Sequence, residues 1–125
     1  MIRGIGVDIL EIERIQRSIE GYGDRFLRKV FTPREIAYCS GKNNIYQHFA
    51  ARFASKEAMS KALATGWKGE FRWQDVEVIN DASGQPHITL HGNLRKNLSA
   101  SSILVTLSHS DSHVVAVVLI EDSPL

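Results

Sequence analysis

Glu57 carries the first hint of chemistry. It lies in the run Phe53-Ala54-Ser55-Lys56-Glu57-Ala58, with Phe53 and Ala54 one helical turn before it and Ser60 and Lys61 one turn after. A carboxylate on such a face is partly desolvated unless a cation meets it. Two readings stand side by side: an i,i+4 Glu57–Lys61 helix pair worth a few tenths of a kcal/mol, or one half of a ligand site. A second acid, Asp8, follows Gly4 and Gly6 near the amino terminus. Two such acids are costly to bring together unpaired, and a hard divalent cation resolves that cost. Mg²⁺ takes a few carboxylates plus substrate phosphates and water. Asp8 and Glu57 with Arg52, Lys56 and Lys61 nearby therefore describe a metal-plus-pyrophosphate site.

The remaining reactive residues say less. None of the five histidines is spaced for zinc, and one cysteine cannot complete a usual structural set. Ser108-His109-Ser110 places a nucleophile beside a base, but neighbours on a strand point to opposite faces, which argues against a serine hydrolase. His109 reads as a hydrogen-bonding residue at a hairpin end, with a phosphate contact as the sharper alternative. Between Arg14 and Arg34 six basic residues meet only Glu20 and Asp24, a local +4. This is either a solvated face or a docking surface for an acidic protein, with Ile15, Phe26 and Leu27 as apolar anchors.

Elements must position these groups. Ile2 to Leu10 predicts a strand with Ile5, Val7 and Ile9 on one face and Gly4, Gly6 and Asp8 on the other. The glycine face is either cleared for a ligand or another backbone, or marks a bulge with an exposed acid. Ile12, Ile15 and Ile19 predict a helix closed by Gly21 and Gly23. A short helix follows from about Asp24, and Thr32-Pro33-Arg34-Glu35 forms a capping box for another through Cys39. Tyr46 to Thr65 is the longest helix, apolar or small nearly all round and ended by Gly66, so it belongs in the middle of the fold. The last half reads as strands: Val76–Ile79, a turn at Asn80–Gly84, Ile88–Leu90, then a hairpin of Ile103–Ser110 and His113–Glu121. This order is α+β, a single domain over residues 1–125 with a long buried helix on an antiparallel sheet.

The chain has 125 residues, 43% hydrophobic and 23% charged, with net charge +1. Nothing global points to nucleic acid or an anionic membrane. The lone Cys39 fits a reducing compartment and reads as a small buried hydrophobe. Asp8 interrupts the early apolar stretch, so no signal peptide is expected, and Val114 to Ile120 is too short for a membrane helix. A cytoplasmic protein is expected. That long apolar strand run also predicts association with further copies.

At this point the motifs resemble those of the bacterial holo-[acyl-carrier-protein] synthase family of 4′-phosphopantetheinyl transferases. The blocks are Gly4-Ile5-Gly6-Val7-Asp8-Ile9 with Glu11-Ile12 and Arg14-Ile15, then Phe31-Thr32-Pro33-Arg34-Glu35-Ile36 with Tyr38-Cys39, then Ala51-Arg52-Phe53-Ala54-Ser55-Lys56-Glu57-Ala58 with Lys61-Ala62 and Thr65-Gly66. Asp75–Val78, Ser83–Pro86 and Leu107–Ser110 align in order with weaker blocks, so the match runs from about Ile2 to Glu121. The resemblance implies transfer of 4′-phosphopantetheine from coenzyme A to a serine of apo-acyl carrier protein, in support of fatty acid biosynthesis. It implies Mg²⁺ held by Asp8 and Glu57 against the pyrophosphate, with Glu57 and Lys61 catalytic. Arg52, Lys56, Lys61, Gly66, Gly84, Pro86 and His109 become coenzyme A contacts, with Arg52 and His109 for the 3′-phosphate. Arg14, Arg25 and Phe26 become carrier contacts. A homotrimer is implied, the 83–86 turn of one chain meeting the helix of another. Ser83 departs from the asparagine often found before this glycine in related sequences. Two functions compete: a metal-dependent nucleotide pyrophosphatase, using the same carboxylates with water as nucleophile, and a non-catalytic trimeric binding module, which needs no metal and gives no reason for Glu57 on a buried helix.

Overall fold

In the computed structural model, which describes residues 1–64 and 69–123, one helix lies across one sheet. Strand β1 (Ile2–Glu11) leads into helices α1 (Ile12–Tyr22), α2 (Asp24–Val30) and α3 (Pro33–Ser40), then the long α4 (Ile45–Leu63). A 3₁₀ turn (Trp73–Asp75) opens the hairpin β2 (Val76–Asn80) and β3 (Pro86–Leu90). Helix α5 (Gly92–Asn97) precedes the hairpin β4 (Ser101–His109) and β5 (His113–Asp122). The main sheet is antiparallel in the order β1-β5-β4, and β2-β3 form a separate ribbon. The α+β expectation therefore holds. The short turn and α5 were not anticipated, because six residues carry too little periodicity to separate a helix from a loop. Thr65 and Gly66, expected to end the long helix, lie outside the described residues.

The glycine face of β1 is turned inward, against helix backbone. A Cβ at Gly4 would overlap the Ala62 carbonyl, and one at Gly6 the Ala58 carbonyl. Ala54, Ala58 and Ala62 are buried at this seam, so bare backbone meets short side chains and β1 sits close on α4. The close approach is to another backbone, and the pairing of β1 with β5 also shifts register between Ile2 and Gly4. Ala116, Val118 and Ile120 of β5 continue the core beneath. The opposite face is apolar and open: Ile5, Val7, Ile9 and Leu104 are all more than half exposed. Ile5, Leu119 and Leu104 form one cross-strand row there.

The capping box at Thr32 and Glu35 forms, and it also does more. Glu35 is fully buried. Its Oε1 accepts from the Thr32 N–H at 2.9 Å and the Lys56 ammonium at 2.8 Å, and its Oε2 accepts from the Val78 N–H at 2.9 Å. Lys56 gives its other protons to the Trp73 and Val76 carbonyls. Burial pulls the Lys56 pKa down and the Glu35 charge resists. The knot ties α3, α4 and β2 together. Cys39 is wholly buried, as expected, and desolvation pushes its thiol up to about 12.

Glu77 extends this network, accepting from the Thr32 hydroxyl at 2.5 Å and meeting His91 Nε2 at 3.0 Å. Burial works against its ionisation, but the Thr32 and His91 hydrogen bonds outweigh it and hold the pKa below the usual range. A lowered carboxylate contributes stability above its unfolded pKa and loses it as pH falls through the folded value. Glu77→Gln is thus expected to flatten the fall in stability below about pH 4, read by urea unfolding at successive pH values. An unchanged acid limb would contradict this.

Candidate active site

Asp8 leaves the inward face of β1 at the point where the glycines have brought that strand onto α4, and Glu57 leaves the adjoining face of α4. Both are half-buried, and together they line a cavity of about 250 Å³ with Leu10, Arg14, Phe26 and Phe53. The Glu57 pKa is raised, first by desolvation and then by the Asp8 charge, against the pull of Lys61 and Arg14. The two acids therefore share one field. Lys61 reaches the same place from the next turn of α4, its ammonium 3.0 Å from Asp8 Oδ1 and 3.0 Å from the Val7 carbonyl. Lys61 pairs across to β1 with Asp8, and its charge still lowers the Glu57 pKa.

The donor set suits a hard cation. Two carboxylates offer oxygen ligands without sulfur or imidazole, and their repulsion is relieved by positive charge. Among the described residues no third His, Cys, Asp or Glu joins a cluster, so the remaining ligands of a metal here would be substrate oxygens and water.

Arg52, Gly84, Pro86 and His109 gather elsewhere, around a cavity of about 330 Å³ between α4, the β2–β3 turn and β4. Arg52 is 2% exposed. Its guanidinium donates to Asn80 Oδ1 at 2.6 Å and lies over the Tyr38 ring, 4.3 Å from the centroid. Asn80 in turn donates to the Gly84 carbonyl at 2.9 Å, coupling the arginine to the turn. Ser83 supports that turn locally, through bonds to Asp81. The two cavities share no described lining residue. Arg52 and Glu57 are five residues apart on one helix, about 140° of rotation, so they face different ways.

Two expectations change here. Lys56 is not available to a coenzyme: it is wholly buried and its three protons are spent on Glu35, Trp73 and Val76. A helix projection could not see this, because its partners come from α3 and the start of β2. Arg14, which its spacing places on the outer basic face, also lines the Asp8–Glu57 cavity. Arg25 stays outside that cavity, exposed beside Tyr22, Phe26 and Lys29. Phe26 belongs to both surfaces and stacks on Phe53 at 6.3 Å. Gly66 lies outside the described residues. Sequence reasoning passed over Tyr38, His48 and Asn80, which surround Arg52. The i,i+4 spacing of His48 and Arg52 was the one available signal.

This arrangement has relatives. A family model described as the 4′-phosphopantetheinyl transferase superfamily matches residues 4–118. A holo-[acyl-carrier-protein] synthase of Solibacter usitatus is 46% identical over 98% of this chain and 100% of its own length. The crystal structure of the holo-[acyl-carrier-protein] synthase from Neisseria meningitidis superposes with a TM-score of 0.87 at 30% identity, covering 98% of this chain and 100% of that one. That of the Helicobacter pylori synthase, in complex with coenzyme A, gives 0.82 at 32% identity, covering 94% and 99%. With the matched residues running through both cavities and nearly the whole fold, the chain belongs to the 4′-phosphopantetheinyl transferase superfamily.

Proposed function

We infer that this chain is a holo-[acyl-carrier-protein] synthase, moving 4′-phosphopantetheine from coenzyme A to a serine of apo-acyl carrier protein and releasing adenosine 3′,5′-bisphosphate. The observation that carries it is the half-buried Asp8–Glu57 pair with Lys61 beside it, lining one cavity with Arg14 and Ile15 of α1 and Phe26 of α2. The product serves fatty acid biosynthesis. The decisive experiment is intact-mass measurement of an apo carrier protein after incubation with coenzyme A, where one phosphopantetheine increment is expected. Consumption of coenzyme A without any carrier would instead identify a pyrophosphatase.

In the proposed mechanism Asp8 and Glu57 would hold Mg²⁺, which would supply positive charge against the coenzyme A pyrophosphate. Lys61 adds charge on the same side, where it favours the transition state as negative charge moves to the 5′-phosphate of the leaving adenosine 3′,5′-bisphosphate. The serine oxygen attacks the phosphorus bearing pantetheine as the bond to the leaving adenosine bisphosphate breaks. The serine hydroxyl proton needs an acceptor at this site, and Glu57 or a water held beside it is placed to take it. Arg52 and His109 receive the 3′-phosphate in the second cavity, backed by the Gly84–Pro86 turn.

One coenzyme cannot easily serve both cavities of a single chain when they face different ways. A homotrimer answers this if the Arg52 cavity and 83–86 turn of one copy approach the Asp8 and Glu57 of the next. The open row of Ile5, Val7, Ile9 and Leu104 supports such association, since contiguous exposed apolar faces mark interaction sites. Light scattering is expected to give three times the mass of one chain, and a monomer at working concentration would contradict the assembly. Among the described residues no helix is long and apolar enough to cross a membrane. We take a cytoplasmic setting as fitting a chain whose single cysteine is buried and has no internal disulfide partner.

Carrier docking is assigned to Arg14, Arg25 and Phe26. Arg25 gives the clean test, because Arg14 also senses Glu57. Arg25→Glu is expected to raise the carrier KM about tenfold, to do so less at high salt, and to leave the coenzyme A KM unchanged. A shift in the coenzyme A KM alone would reassign this face to the nucleotide.

A further inference from the structure

The Arg52 cavity holds a residue with no role so far. His48 stands one helical turn before Arg52 on α4, half-buried, lining the same space as His109. Its ring meets the Tyr38 ring in an edge arrangement at 5.7 Å, and the Arg52 guanidinium lies over that same tyrosine. Lys42 lies 4.6 Å from the same ring centroid. No carboxylate is among the described residues lining the cavity. The buried Arg52 Nε finds no acceptor among the described residues. Among its described lining residues the cavity thus presents one arginine and two imidazoles without a carboxylate, which suits an anion.

We propose that His48 is a proton-coupled ligand of the phosphate monoester bound in this cavity, taking up a proton as the anion enters. This rests on assigning the cavity to the 3′-phosphate of coenzyme A, and it adds a residue that helps tell coenzyme A from its 3′-dephosphorylated form. The groups facing the imidazole are Arg52 from its own helix, Lys42 from the preceding loop, Tyr38 from α3 and His109 from β4. In the free protein, burial and then the charges of Arg52, Lys42 and His109 hold the His48 pKa below the ordinary range, so the ring is neutral near pH 7. A phosphate monoester carries about −1.5 to −2 charge there and reverses the field. The bound-state pKa therefore lies above the free one. His48 contributes most to binding at low pH, and its contribution is lost as pH rises through the bound-state value.

The test is calorimetric titration of adenosine 3′,5′-bisphosphate and adenosine 5′-monophosphate into wild type and His48→Gln, between about pH 5 and 8, in buffers of different protonation enthalpy. Comparison with the variant removes the phosphate's own titration near about pH 6. The variant is expected to bind the bisphosphate about tenfold more weakly at the acid end, to match wild type at the alkaline end, and to lose proton uptake. Equal uptake and parallel pH curves in the two proteins would overturn the role of His48 while leaving the cavity assignment standing. Equal affinity of wild type for the two nucleotides would instead remove the assignment and the proposal together. Within wild type, the His48 ring resonance should titrate at higher pH once the bisphosphate is added. No shift there would count against the proposal whatever the variant does.

Discussion

Glu57→Gln is expected to cut phosphopantetheine transfer at least about a hundredfold while raising the melting temperature of the metal-free protein near neutral pH. Both effects come from the same charge. Glu57 is held above the ordinary carboxylate range by desolvation and by Asp8. An acid with a raised folded pKa leaves the fold most stable below its unfolded value, and stability declines as pH rises through the folded value. Glutamine keeps the shape and removes the repulsion, so the metal-free variant should also lose that decline. Its neutral amide is a weaker ligand for a hard divalent cation and accepts no proton at this pH, so transfer fails. Calorimetry with excess chelator and an intact-mass assay with added Mg²⁺ read the two effects separately. Asp8→Asn should behave alike in activity, but it also releases the Lys61 ammonium now 3.0 Å from Asp8. Full transfer by either variant would sink the metal assignment. A destabilised Glu57→Gln would show that the carboxylate is compensated in the fold after all.

The second large effect is on the fold itself. Gly6→Ala is expected to cost about 3 kcal/mol or more, measured by urea unfolding, because the new methyl would overlap the Ala58 carbonyl and crowd the Ala62 amide. Backbone on both sides leaves no side chain to move aside, so β1 must lift off α4. Asp8, two residues along, would then shift relative to Glu57, and residual activity should fall by more than the loss of folded protein explains. Gly21 gives the contrast. It lies within α1 with nothing near its missing side chain, so Gly21→Ala should stabilise by about 0.5–1 kcal/mol. Equal effects at the two glycines would mean that the seam has room to spare.

Much of this molecule is legible in its residues because the signals are local. Period and punctuation mark β1, the capped α3, the long α4 and the carboxy-terminal hairpins, for strands and helices announce themselves over a few residues. The acidic pair is legible too: Asp8 behind two glycines and Glu57 on an apolar helix face are both expensive as isolated charges. Tertiary structure decided which neighbour each charge meets. Lys56 and Lys61 stand on one helix with the same side chain. Yet Lys56 is sealed against Glu35 from α3, while Lys61 reaches Asp8 from 53 positions away. It decided that the glycine face of β1 meets helix backbone and that Ile5, Val7 and Ile9 are left for another surface. It also gathered His48, Arg52 and His109 around one electropositive cavity, with Tyr38 packed against the first two, though no spacing joins β4 to α3. Local patterns report what a residue prefers around it. Packing determines whose charge and whose backbone supply that surrounding, and those partners come from distant parts of the chain.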